Sequence, residues 1–140
     1  MPMTRRDVMA LATGSVAAYG LNAVPARANA ADEAIAAFTG GAEPAEGGVV
    51  LDVPEIAENG NAVPISLSAD GAVAIMVVST ANPLPGVATF RFGPLAASSS
   101  GSTRIRLARS QDLIAVARME DGTFRRTSAS VKVTVGGCGG

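Results

Sequence analysis

Residues 63–80 read Val63-Pro64-Ile65-Ser66-Leu67-Ser68-Ala69-Asp70-Gly71-Ala72-Val73-Ala74-Ile75-Met76-Val77-Val78-Ser79-Thr80. The first part alternates apolar and polar residues, which indicates a strand with one buried face. Asp70-Gly71 is a turn signal. Residues 72–80 are so apolar that they predict a central strand. Because Pro64 cannot donate a hydrogen bond to a neighbouring strand, we expect it at an edge position or a bulge.

The same alternation recurs between residues 49 and 135 and predicts about seven short strands separated by turns. The other predicted strands are residues 49–53, 87–92, 103–107, 113–119 and 131–135. Residues 93–102 are rich in serine and small side chains and predict a loop. This pattern favours an all-β fold, an immunoglobulin-like antiparallel β-sandwich over residues 49–135. A β-barrel remains the alternative, because periodicity alone does not separate the two.

Residues 31–48 predict one short helix followed by a loop. Ile35 and Phe38 lie three positions apart among alanines, and the pair Gly40-Gly41 follows them. This spacing indicates an amphipathic helix of about two turns that ends at the glycine pair. Because so short a helix is not stable alone, we expect it to pack against the sandwich.

Residues 1–30 are typical of an export signal. Arg5-Arg6 precede a moderately apolar run, and Ala28-Asn29-Ala30 fits the small-x-small cleavage pattern. The run is interrupted by polar residues and glycines, which disfavours a membrane span of about 20 apolar residues. The sequence therefore predicts a cleaved twin-arginine signal peptide. It also predicts export of the folded domain to the periplasm.

The chain contains no histidine and one cysteine. These two counts exclude a Ser-His or Cys-His nucleophile pair, an imidazole-ligated zinc site and an internal disulfide. We therefore expect a protein that is not an enzyme, with no cofactor and no metal site, for which other proteins supply the catalytic groups.

Charge is distributed unevenly along the chain, although its net value is only −1. Residues 31–70 hold eight carboxylates and no Lys or Arg, whereas residues 71–140 hold eight bases and three carboxylates. No strongly basic segment indicates nucleic-acid binding. We expect the two sets to interleave in the folded protein, although a polarised surface that steers a charged partner remains possible.

The single cysteine lies in the last five residues, here called the C-terminal arm: Gly136, Gly137, Cys138, Gly139 and Gly140. Glycine adopts many backbone conformations, so a segment with two glycines on each side of one thiol resists helix or strand formation. An extended chain advances about 3.3–3.6 Å per residue, so Cys138 can stand roughly 10 Å beyond Val135. The arm is predicted to present its thiol to a narrow pocket on another protein.

The chain resembles the SoxY family, the sulfur-carrier subunits of the thiosulfate-oxidising (Sox) system. The resemblance rests on the twin-arginine signal, on the ending from Val131 to Gly140 and on matching segments in the body. Those segments are Leu51-Asp52-Val53-Pro54-Glu55-Ile56-Ala57-Glu58-Asn59-Gly60, Val63-Pro64, Asn82-Pro83, Arg104-Ile105-Arg106-Leu107 and Gln111-Asp112-Leu113-Ile114-Ala115-Val116-Ala117.

The resemblance implies that Cys138 carries sulfur intermediates covalently. The carrier would bind SoxZ as a heterodimer, and the arm would transiently enter SoxAX, SoxB and, where present, the sulfane dehydrogenase SoxCD. We expect no nucleic-acid or membrane partner.

Two other functions remain open at this point. Ubiquitin-like sulfur carriers also end in Gly-Gly but hold sulfur as a thiocarboxylate, here on Gly140, and are cytosolic proteins of mixed α/β pattern. Alternatively, the chain is an exported β-sandwich binding module whose cysteine only crosslinks it. The export signal and the strand-rich body argue against the first of these.

Overall fold

The computed structural model of the protein describes residues 26–135. This part of the chain forms one helix and nine strands. They are α1 (Ala26–Thr39), β1 (Ala45–Glu46), β2 (Val50–Asp52), β3 (Ile56–Ala57), β4 (Val63–Ser68), β5 (Ala72–Ser79), β6 (Gly86–Arg91), β7 (Ser100–Ile105), β8 (Gln111–Met119) and β9 (Phe124–Val133).

The strands form two sheets. In the larger sheet the order is β1, β9, β8, β5, β6, and β3 also pairs with β9, whereas the smaller sheet has the order β2, β4, β7. The longer strands pair antiparallel. Only the two-residue strands of the described part, β1 and β3, pair parallel, each with β9. The predicted immunoglobulin-like β-sandwich of about seven longer strands is confirmed.

The main core lies between the two sheets. Ile65 of β4 contributes to it from the smaller sheet, and Ile75, Val77, Leu113 and Ala115 contribute from β5 and β8 of the larger sheet. These side chains are almost completely buried and contribute to the hydrophobic stabilisation of the sandwich. Strand β5 lies between β8 and β6, so the prediction of a central strand at residues 72–80 is confirmed.

The turn at Asp70-Gly71 joins strands that belong to different sheets. The Ala72 amide donates to the Ala69 carbonyl at 3.1 Å, and Gly71 has φ 78°. This conformation lies in the left-handed region, which favours glycine. The chain therefore crosses from the smaller to the larger sheet within residues 69–71.

Helix α1 packs on the outer face of the larger sheet through a second, smaller core around Ile35. The sheet residues in this cluster are Met76, Val78, Ile114 and Val116, with Phe124 partly buried beside them. The helix has 14 residues and begins at Ala26, so it is longer than the two turns predicted. Alanine-rich residues 26–30 favour this extension. The helix ends at Thr39, before the glycine pair, as predicted.

Most of the predicted signal peptide, residues 1–25, lies outside the described residues. Residues 26–30 form the first part of α1, and cleavage after Ala30 stays a prediction. Within residues 26–135, no helix combines the length and the apolar character that a membrane span requires.

Two strands begin at least three residues before their predicted bounds. Strand β7 begins at Ser100, inside the predicted loop, and β9 begins at Phe124 rather than at Val131. Residues 124–130 lack apolar alternation, but they pair with β8 throughout, so the ladder of backbone hydrogen bonds defines the strand. At its other end β9 stops at Val133, so the prediction that residues 134–135 belong to the strand is wrong.

Pro64 lies in β4, the middle strand of the smaller sheet, opposite Arg104 of β7. On the other side of β4, strand β2 pairs only with residues 66–68. Within the described residues, Pro64 therefore has a neighbouring strand on one side alone. The expected edge position holds locally, because β2 is too short to reach this part of β4.

Candidate functional site at the base of the C-terminal arm

The residues of the C-terminal arm, Gly136, Gly137, Cys138, Gly139 and Gly140, lie outside the described residues. The structure describes the chain up to Val135 and therefore shows how the base of the arm is held. We use the term arm base for residues 131–135 together with the segments that hydrogen-bond to them.

One side of the arm base is held by the segment that contains β3. The Lys132 amide donates to the Glu55 carbonyl at 2.9 Å, and the Thr134 amide donates to the Ala57 carbonyl at 3.0 Å. Beyond the strand, the Val135 carbonyl accepts from the Gly60 amide at 2.7 Å. Backbone pairing therefore continues to the last described residue.

The other side of the arm base is held by residues 107–110. The Val133 amide donates to Ser110 Oγ at 2.8 Å. The Leu107 amide donates to the Gly60 carbonyl at 2.7 Å, so Gly60 links this segment to Val135. Hydrogen bonds therefore hold residues 132–135 from both sides, up to the last residue that the structure describes.

A buried pair of amide side chains fixes the segment that holds the arm base. Gln111 Oε1 accepts from the backbone amides of Ala81 and Asn82 at 2.9 and 3.1 Å. Gln111 Nε2 donates to Asn82 Oδ1 at 2.8 Å and to the Arg109 carbonyl at 3.0 Å.

Asn82 completes this network. Its Nδ2 donates to the Arg106 carbonyl at 2.8 Å, and its Oδ1 accepts from the Ala108 amide at 3.0 Å. Buried amides with their hydrogen bonds satisfied fix the conformation of the backbone around them. No periodic pattern in the sequence marks this pair, because Asn82 and Gln111 are 29 positions apart.

Exposed charges of both signs surround the arm base: Arg106, Arg109, Lys132, Glu55 and Glu58. The acidic residues of the N-terminal half and the basic residues of the C-terminal half therefore interleave here, as expected. They also meet in the one ion pair of residues 26–135, where Arg126 Nε lies 3.2 Å from Glu46 Oε1. No group of three or more His, Cys, Asp or Glu in the described part could hold a metal ion.

The opposite end of the sandwich has a turn in which the pKa of a carboxyl group, that of Asp121, is lowered. The Thr123 hydroxyl and the Thr123 amide both donate to Asp121 Oδ1, at 2.6 and 2.9 Å. These hydrogen bonds, that from the hydroxyl first, lower the pKa of Asp121. This turn precedes β9, whereas the arm follows it, so Asp121 lies far from the arm base.

Fold and site together define a class: an immunoglobulin-like β-sandwich that holds, by hydrogen bonds, the residues before a short glycine-rich segment, and in the sequence this segment contains the one cysteine of the chain. Residues 35–138 match the family described as sulfur oxidation protein SoxY. The chain belongs to the SoxY family, and the resemblance found in the sequence is confirmed.

A solved structure of the sulfur carrier protein SoxY from Chlorobium limicola f. thiosulfatophilum is similar to this chain. The two are 34% identical, the match covers 76% of this chain and 94% of the other, and the TM-score is 0.68. A superoxide reductase (neelaredoxin) from Ignicoccus hospitalis shares only the fold, with 14% identity, coverage of 62% and 80%, and a TM-score of 0.55. Comparison with curated protein sequences gave no match.

Proposed function

We propose that the chain is a covalent sulfur carrier of thiosulfate oxidation, with Cys138 as the attachment site. The observation that carries the proposal is the arm base. Hydrogen bonds reach Val135, and the thiol follows three residues later, a span of roughly 10 Å when extended. Membership of the SoxY family and the similarity to a solved sulfur carrier support the same role.

In this proposal the chain is the substrate of other proteins. SoxAX joins the Cys138 thiol to thiosulfate through a new S–S bond, which releases one proton and passes two electrons to the haem protein. SoxB then hydrolyses the terminal sulfone: water adds to sulfur, sulfate leaves, and a persulfide remains on Cys138. SoxCD, where present, oxidises that remaining sulfur.

The enzymes must also activate the thiol. A cysteine without an activating neighbour has a pKa near 8.5, so about a few per cent is thiolate at neutral pH. The chain has no histidine that could act as a base. In this proposal the flexible arm consists of Gly136, Gly137, Gly139 and Gly140 around Cys138. Because glycine has no side chain, only the backbone and the sulfur atom enter the enzyme pocket.

The same proposal places the protein in the periplasm as a heterodimer with SoxZ. A twin-arginine signal exports folded proteins, so the chain would fold and bind SoxZ before it crosses the membrane. The proposed organisation has four parts: a cleaved leader of residues 1–30, a helix and loop at 31–48, the sandwich at 49–135 and the arm at 136–140.

Intact-mass analysis of protein isolated from cells grown on thiosulfate tests the proposal. We expect masses increased by sulfur and by thiosulfonate, and fragmentation should locate both on Cys138. The variant Cys138→Ser should lack them and should not support thiosulfate oxidation, whereas Ser130→Ala, which leaves the thiol intact, should retain them.

Other results would support the alternatives. Sulfur located on the carboxyl group of Gly140 would indicate a thiocarboxylate carrier. Full thiosulfate oxidation with Cys138→Ser, together with disulfide-linked dimers of the parent protein, would indicate a binding module that the cysteine only crosslinks. The β-sandwich fold argues against the first alternative, because ubiquitin-like carriers have a mixed α/β fold.

A further inference from the structure

The outer face of the larger sheet is only partly covered by α1. A groove of about 780 Å³ remains between the helix and the strands β5 and β6. Its floor contains Ala74, 6% exposed, and Met76, 9% exposed. Phe38 of α1 and Phe92, after β6, contribute to its sides. We call this surface the Arg91–Arg118 groove, after the two arginines that line it.

The strand register places the two arginines on either side of Ala74. Ala74 of β5 is opposite Arg91 of β6 and also opposite Arg118 of β8. Neighbouring strands lie about 4.7–4.9 Å apart, so the two arginine Cα atoms are separated by about 10 Å. An acidic group that approaches Ala74 therefore has a guanidinium on each side.

Both arginines lack an acidic partner within the described residues, where the ion pair is Arg126–Glu46. Arg118 is held in place by aromatic side chains: its Cζ lies 5.9 Å from the centroid of the Phe124 ring, which packs edge-on against Phe38 at 6.0 Å. Asp32 of α1 lines a different groove, together with Arg126. The charge of the Arg91–Arg118 groove is thus positive over an apolar floor.

Helix α1 presents two alanines to the groove. Ala34 and Ala37 are separated by about one helical turn, and both line it. Because these two side chains are small, a second helix can approach α1 to about 8–10 Å beside Phe38 and lie on the sheet. The parts of β5 and β6 that line the groove supply the surface for its apolar face.

We propose that the Arg91–Arg118 groove binds an acidic amphipathic helix of a partner protein. The apolar residues of that helix lie on Ala74 and Met76, and its carboxylates pair with Arg91 and Arg118. The positive charge of the groove selects an acidic partner over a basic one. This surface lies on a sheet face, and its test does not involve Cys138, so the proposal and the carrier function can fail independently.

The test is an NMR titration of the 15N-labelled protein with a synthetic peptide. The peptide has about 18 residues, or roughly 27 Å of helix, with leucine at the a and d positions and glutamate elsewhere. We expect shifts that cluster at Ala74, Thr89 and Arg91. The variant Arg91→Glu/Arg118→Glu should bind about tenfold more weakly or worse. The matched variant Arg104→Glu/Arg106→Glu, with the same charge change at the end of β7, should bind within about twofold of the parent.

Four results would overturn the proposal. They are equal weakening in both charge-reversal variants, equal binding of a peptide with lysine in place of glutamate, the same shifts with sulfate alone, and the same shifts when the unliganded protein is concentrated. The same shifts with sulfate would indicate an anion-binding site, and the same shifts on concentration would indicate that a second copy of this chain occupies the groove. If Arg118→Glu unfolds the protein, Ala37→Gln replaces it, because Ala37 is exposed and its enlargement should block the groove.

Discussion

Replacing Gln111 by leucine tests whether the buried amide pair stabilises the sandwich and the arm base. The change removes four hydrogen bonds. The Arg109 carbonyl can turn to water and Asn82 Oδ1 keeps its bond from Ala108, but the amides of Ala81 and Asn82 lose their acceptor. A buried donor left unsatisfied costs about 1–3 kcal/mol, so we expect a loss of about 2–4 kcal/mol of unfolding free energy.

Urea denaturation measures this loss, and the melting temperature should fall by roughly 10–20 °C for a domain of this size. Hydrogen exchange provides a local readout at the Gly60 amide, which donates to Val135. Under conditions where the variant remains folded, this amide should exchange faster, because residues 106–110 no longer hold Gly60 in place.

The control is Asn61→Leu, the same kind of change at an exposed residue near the arm base. It should alter the unfolding free energy by less than about 0.5 kcal/mol. If Gln111→Leu is no more destabilising than this control, or if exchange at Gly60 is unchanged, the amide pair does not support the arm base and the reasoning is refuted.

Two further predictions concern residues away from the arm. A Cβ atom at Gly101 would lie 2.6 Å from two carbons of the Phe90 ring, so Gly101→Ala should cost about 1–3 kcal/mol in urea denaturation; the cost should be smaller in a Phe90→Leu background, and an equal cost in both backgrounds would contradict the clash. Thr123→Val removes the hydroxyl that donates to Asp121, so NMR titration should show the pKa of Asp121 raised towards 3.8. Because the pKa of Asp121 is lowered in the folded protein, the ionised carboxylate stabilises the fold above pH 3.8. This stabilisation is lost as the pH falls through the folded-state pKa, so the difference in unfolding free energy between the parent and Thr123→Val should shrink over that range.

Local patterns predicted most of the strands and the end of α1. Strands β4, β5 and β8 combine β-branched side chains with one or two buried faces, so their apolar residues mark them directly. The first part of β9 was missed because its residues 124–130 are held by pairing with β8 rather than by burial. The two-residue strands β1 and β3 were missed for a related reason, since both depend on where the distant strand β9 lies.

The candidate site was predicted unequally. The arm stays a prediction that rests on composition alone: one thiol among glycines after the last strand. The amide pair of Asn82 and Gln111 and the Arg91–Arg118 groove could not, because their residues are separated in the chain and meet only through strand order. An asparagine in a loop between strands has no local pattern that indicates its glutamine partner. Two arginines on different strands likewise have no local pattern that indicates a shared groove.

The sequence by itself determined most of the longer strands of the sandwich, the SoxY resemblance, and the absence of histidine from a chain with a single thiol. These properties are local or compositional, so residue type and spacing are sufficient to establish them. Only the tertiary structure decided that Asp70-Gly71 joins two different sheets, that Gly60 holds Val135, and that α1 leaves part of a sheet face uncovered. Each of these depends on contacts between distant segments, which form only when the free energy of the whole fold selects one arrangement of the strands.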